Sequence, residues 1–170
     1  VEAETALTVY PYASTTVFKE TVFTPKAEIY GNKWRVISGK DVYDNAYANI
    51  VNGKVRLAAG IDKDITVTRK LKPLSREADG FFGNKKRMQR GYKIEIANLS
   101  GEERKLTVID RVPVSGDDRV AVENIKMDGR TLMSLNEGKI ELEVVLKAGA
   151  KASYEVTFDI VADKNLDVVF

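Results

Sequence analysis

Lys139-Ile140-Glu141-Leu142-Glu143-Val144-Val145-Leu146 places an apolar side chain at every second position. After Lys147-Ala148-Gly149-Ala150-Lys151, the run Ala152-Ser153-Tyr154-Glu155-Val156-Thr157-Phe158-Asp159-Ile160 does the same. Successive side chains of a strand point to opposite faces, so each run buries one face and wets the other. The short glycine-bearing connection predicts that the two runs fold back on each other as an antiparallel hairpin.

Similar runs fill most of the chain. Thr15 to Phe23 is rich in β-branched and aromatic residues and reads as a strand ending before Pro25. Gly31-Asn32 between Ala27–Tyr30 and Lys33–Ile37, and Asn52-Gly53 between Ile50-Val51 and Lys54–Ala59, carry two-residue hairpin signals. Asp64–Leu71, Tyr92–Asn98, Leu106–Arg111 and Arg119–Glu123 continue the series, with a phase slip at Asn124-Ile125 that predicts a bulge. Val1 to Tyr12 reads as an edge strand or a linker. No helical stripe longer than about two turns occurs. The expected fold is an all-β antiparallel sandwich, immunoglobulin-like in its C-terminal half. Its expected core includes Ile94, Ile96, Leu106, Val108, Ile140, Leu142, Val144, Tyr154, Val156 and Phe158.

At 170 residues the chain is long enough for one well-buried core, and a single domain over 1–170 is expected, with a sub-boundary near 72–91 as the alternative. Lys and Arg number 27 against 25 Asp and Glu, so no strong field for nucleic acid or a membrane is expected. With no cysteine, disulfides and thiolate chemistry are excluded. With no histidine, the commonest general base and transition-metal ligand are missing. The sequence shows no signal peptide and no membrane-spanning run. It opens on Val1 rather than Met and reads as a processed product or an excised part of a longer protein.

Leu57-Ala58-Ala59-Gly60-Ile61-Asp62-Lys63-Asp64-Ile65-Thr66-Val67-Thr68-Arg69 resembles the L-x-x-G-V-D-x-x-I-x-V-x-R run of the DUF4139 domain of mucoidy-inhibitor-like proteins. Tyr92–Asn98 resembles that family's strand leading into an asparagine, and Asp110-Arg111-Val112-Pro113-Val114-Ser115 its D-x-x-P-V-S signature. Val120–Val122 is similar to its I-x-V strand, and Gly138–Ile160 to its closing hairpin, with Leu142 or Val144 at the tryptophan position. The resemblance runs from about Thr16 to Ala162 and reaches only the C-terminal domain of full-length members, whose coiled coil lies upstream. It implies a β-sandwich of extracellular or cell-envelope association, and no catalytic residues.

Four local features carry chemistry. Asp62/Asp64 and Asp117/Asp118 pair carboxylates that could ligate Ca²⁺ or serve a hydrolase, although Asp at turns normally bonds its own backbone. Tyr30, Trp34, Tyr43 and Tyr47 offer an aromatic surface for a glycan, against the plainer reading as core or sandwich-edge residues. Lys85, Lys86, Arg87 and Arg90, next to Phe81 and Phe82, read as a mobile, solvated hairpin tip that could contact an anionic surface. Asn98-Leu99-Ser100 is a glycosylation sequon, against a structural asparagine at a strand end. No nucleophile elbow or phosphate-cradling loop is present, and no cofactor is expected. Three functions remain open, in this order: a non-catalytic interaction or architectural module, a glycan-binding module, and last a carboxylate-based hydrolase. The partners expected are other domains of a parent chain, a second copy joined through a sheet edge, or a polysaccharide. Pro113 is expected to end the strand from Leu106, with Asp110 and Ser115 bonding nearby backbone.

Overall fold

The computed structural model describes residues 3–28, 33–38, 40–51, 53–72, 77–78, 84–132 and 135–166. Its strands are β1 (Ala3–Tyr10), β2 (Ser14–Phe23), β3 (Lys33–Ser38), β4 (Asp41–Val51), β5 (Lys54–Asp62), β6 (Ile65–Leu71) and β7 (Glu77–Ala78). The remainder are β8 (Lys85–Asn98), β9 (Arg104–Arg111), β10 (Val120–Met127), β11 (Arg130–Thr131), β12 (Lys139–Leu146) and β13 (Lys151–Asp163). One sheet runs in the order β12-β9-β1-β2-β5-β4-β3. The other runs β11-β10-β13-β8-β6, with β7 pairing β8 off that path. The two sheets pack face to face as a β-sandwich.

Period-2 alternation explains which face each strand buries. Ile94 and Ile96 on β8, Leu106 and Val108 on β9, Ile140 and Val144 on β12, and Val156, Phe158 and Ile160 on β13 form the buried core, with Leu142 and Tyr154 packed against it. All ten core positions read from the sequence are therefore in or against the core. Val156 is 1 % exposed. Val156→Asp should cost several kcal/mol, because an unpaired carboxylate would displace a packed side chain. A urea midpoint equal to that of the parent would refute this placement.

The closing pair is not a hairpin. β12 pairs with β9 along its whole length, whereas β13 pairs with β8 and β10 in the other sheet. The connection through Gly149, at φ +69, is an arch between the sheets. A strand with one apolar face satisfies that face equally well beside a neighbour or opposite one, so alternation could not separate the two. β1 is likewise no edge strand or linker. It lies between β2, antiparallel, and β9, parallel, with Leu7 opposite Leu106 and Val9 opposite Val108.

Other turns follow the sequence. Val51 pairs with Lys54 across the Asn52-Gly53 connection, and Gly53 takes φ +74, which glycine adopts without steric cost. β10 shifts register between Glu123 and Lys126, with Asn124 at φ +51, which is the bulge expected at Asn124-Ile125. Lys33–Ser38 pairs with β4, and Ala27 and Glu28 lie outside any strand; the turn expected at Gly31-Asn32 lies outside the described residues. Residues 29–32, and residues 73–76 and 79–83 of the sub-boundary region near 72–91, lie outside the described residues.

Candidate functional site

Among the described residues the buried carboxylates are Glu20, Asp62 and Asp110. Asp110 points inward from β9 and is 2 % exposed. Its Oδ2 accepts from Arg69 Nε of β6 at 3.1 Å, and its Oδ1 from the Arg111 backbone N–H at 2.7 Å. The Arg69 guanidinium lies 3.7 Å above the Tyr92 ring, and the Tyr92 hydroxyl donates to the Arg111 carbonyl at 3.3 Å. Burial foremost, and the Asp110 charge after it, push that hydroxyl well above the ordinary tyrosine range, so it stays protonated as a donor. Asp110 thus ties the two sheets together. The strand ends at Arg111, two residues before Pro113, as the missing proline N–H requires. Ser115, in contrast, closes only its own turn, bonding the N–H and carbonyl of Asp117.

Glu20, Asp62 and Asp117 are engaged as well, but within one sheet or one turn. Glu20, 4 % exposed, accepts from the Tyr10 hydroxyl and from Arg56. Asp62 accepts from the Asp64 backbone N–H at 2.9 Å, the local turn bond that aspartate favours. Side-chain hydrogen bonds from Arg119, then its backbone N–H, hold the Asp117 carboxyl down at about 2. A lowered carboxylate pKa stabilises above its ordinary value, so this turn keeps its ion pair at neutral pH and loses it only as pH falls through about 2. Among the described residues, no group of three or more acidic side chains is placed to hold a metal ion.

The basic segment is a correction. Lys85, Lys86, Arg87 and Arg90 do not form a solvated tip: they open β8, in unbroken register with Asp163 to Phe158 of β13. Arg87 bonds Asp159 at 2.7 Å and Glu123 at 3.3 Å, and Arg90 donates to the Gln89 carbonyl. Alternation was hidden because long cations, whose stems can lie along a sheet, occupy positions read as polar loop. Amides from Arg87 to Asn98 should therefore show strong hydrogen-exchange protection; exchange as fast as in an open loop would refute the strand.

Trp34 is half-buried on β3 opposite Ala46, while Tyr47 pairs with Lys33 and Tyr43 with Val36, so the aromatic positions share no rung. The side chains of Tyr43 and Tyr47, like Tyr30, Phe81 and Phe82 entire, lie outside the described residues. The sequon is structural: Asn98 is 0 % exposed, and its amide nitrogen contacts three backbone carbonyls.

One feature escaped sequence reading. Between the signature loop and β10 the sandwich stays open, leaving a cavity of about 410 Å³ lined by apolar residues such as Val112, Val114, Val122 and Leu135 and by the polar Ser115 and Glu137. Val114 is 65 % exposed at its lip. The floor is fixed by Gly138 at φ +68, where a Cβ would stand 2.5 Å from the Val112 carbonyl oxygen. Gly138→Ala should therefore cost about 2 kcal/mol or more, read as a lower unfolding midpoint. The only signal in the sequence was four valines, at 112, 114, 120 and 122, flanking a polar turn.

Fold and site together define a β-sandwich module whose buried Arg69–Asp110 pair joins its sheets and whose core opens at one edge. A family described as "Domain of unknown function (DUF4139)" matches residues 4–164, and the chain belongs to that family. No curated protein and no solved structure matches it.

Proposed function

We propose that this chain is a non-catalytic interaction or architectural module of a larger, surface- or envelope-associated protein, and that its partner is protein. The observation that carries this reading is the open mouth beside the exposed Val114, where apolar side chains meet Ser115 and Glu137. A concave opening that mixes apolar side chains with a few polar groups has the character of a contact surface. The non-catalytic part is supported by the buried carboxylates, each engaged by a guanidinium, a hydroxyl or a backbone N–H. Surface association is drawn from the resemblance to mucoidy-inhibitor-like proteins. An immunoglobulin-like C-terminal half belongs to the same reading, supported by the way β8, β9, β10, β12 and β13 alternate between the two sheets.

The test places a photo-crosslinking residue at Val114 of the intact parent protein in its own cells, with Val145 as the control position. A protein adduct at Val114 and none at Val145 is expected. Absence of an adduct at Val114 would sink the reading. So would a hydrolytic turnover lost on Asp62→Asn or Asp117→Asn with stability unchanged.

A further inference from the structure

β4 changes neighbour along its length. From Asp41 to Tyr47 it pairs only with β3, and from Ala48 to Val51 only with β5. β3 is the last strand of its sheet, so a ribbon of two strands leaves the sheet between Tyr47 and Ala48. Such a ribbon is marginal in water unless one face is packed. This one is mostly wet. Ile37 and Val42, directly opposite each other, are 68 % and 55 % exposed. Trp34 and Val36 are half-buried, but they belong neither to the hydrophobic core nor to the side chains packed against it. Both partners of the Arg35–Asp44 ion pair are more than half exposed, so the pair adds little. The ladder is also interrupted, because its register slips between Trp34 and Val36.

We propose that this ribbon is an arm that opens and closes as a unit of its own, hinged between Tyr47 and Ala48, while the sandwich stays folded. Opening breaks the β3–β4 ladder and leaves the rungs of β4 with β5 intact. It also leaves untouched the polar groups that join the sheets, Asn98 and the Arg69–Asp110 pair. Its free energy is therefore a small part of that of global unfolding. An equilibrium so nearly balanced is a switch: a partner that grips only the closed arm orders it, and binding elsewhere on the sandwich does not. The arm stands at the β3 end of its sheet and the mouth lies beside β9 and β12 at the other end, so the two are separate devices.

The chain's single tryptophan, Trp34, lies on the arm and reports on it. In a urea titration its fluorescence should change at lower urea than the far-ultraviolet dichroism of the sandwich. The slowest amides of 33–38 and 41–47 should exchange about a hundredfold faster than the slowest of β13, with a weaker dependence on urea. Ile37→Asp, at an exposed position, should speed arm exchange and leave the dichroism midpoint unchanged. A disulfide between Ile37→Cys and Val42→Cys, unambiguous in a chain with no other cysteine, should slow that exchange and raise the fluorescence midpoint alone. Coincident fluorescence and dichroism transitions, arm protection equal to that of β13, or a dichroism midpoint lowered by Ile37→Asp would each overturn the proposal. None of these outcomes bears on the crosslink at Val114, which tests the mouth.

Discussion

Asn98→Leu is expected to lower the unfolding free energy by about 3 kcal/mol or more and the melting temperature by roughly 10 °C. The Asn98 amide nitrogen donates to the Leu146 carbonyl at 3.1 Å and the Lys147 carbonyl at 3.0 Å, where β12 turns into the arch, and to the Glu102 carbonyl at 2.8 Å. Its oxygen accepts from the Ser100 N–H and hydroxyl, and its own backbone N–H donates to the Ala150 carbonyl at 2.9 Å. One fully buried residue thus holds both ends of the crossing, the side chain at Leu146 and Lys147 and the backbone N–H at Ala150. Leucine matches its size but would strand these carbonyls away from water, at about 1–3 kcal/mol for each group left unpaired. Asn98→Asp should be no better, since an oxygen would replace the donor and face the carbonyls. Equilibrium urea unfolding of both variants decides the matter. A loss below about 1 kcal/mol for leucine would mean that the arch is held by packing rather than by the amide.

Asp110→Ala is expected to cost about 3–5 kcal/mol, while Asp110→Ala combined with Arg69→Met should recover most of that loss. The Asp110 and Arg69 side chains are 2 % and 21 % exposed, and they join β9 of one sheet to β6 of the other. Removing the carboxylate leaves a largely desolvated guanidinium over the Tyr92 ring with nothing to balance it. Removing both charges leaves an apolar contact with no unpaired charge, at the cost of a small void where the carboxylate stood. A double-mutant cycle in chemical denaturation measures the coupling directly. Additive losses would show that the two residues act independently. Unchanged stability of Asp110→Ala with a lost binding activity would make Asp110 a contact residue instead of a clamp.

The sequence was legible wherever a strand's neighbours were apolar and regularly spaced. The alternation in Leu106–Val108, Ile140–Val144 and Val156–Ile160 sufficed to place the core, because burying one face is a local requirement of each strand. The D-x-x-P-V-S run marked the end of β9 for an equally local reason, the missing proline N–H. The start of β8 was not legible. Lys85, Lys86, Arg87 and Arg90 look like loop until Asp159 and Glu123, far along the chain, arrive to pair Arg87. The candidate site was legible only as isolated valines, since a cavity is a property of several segments at once.

By itself, then, the sequence determined an all-β sandwich, its buried positions, the bulge in β10 and the absence of thiol and imidazole chemistry. Only the tertiary structure decided that β12 and β13 lie in opposite sheets, that β1 is an interior strand parallel to β9, and that the core opens beside Val114. The reason is physical. Alternation fixes which face a strand buries, but each strand's apolar face is indifferent to which neighbour covers it. That choice falls to a few buried polar groups, such as Asn98 and Asp110, whose hydrogen bonds close in only one arrangement.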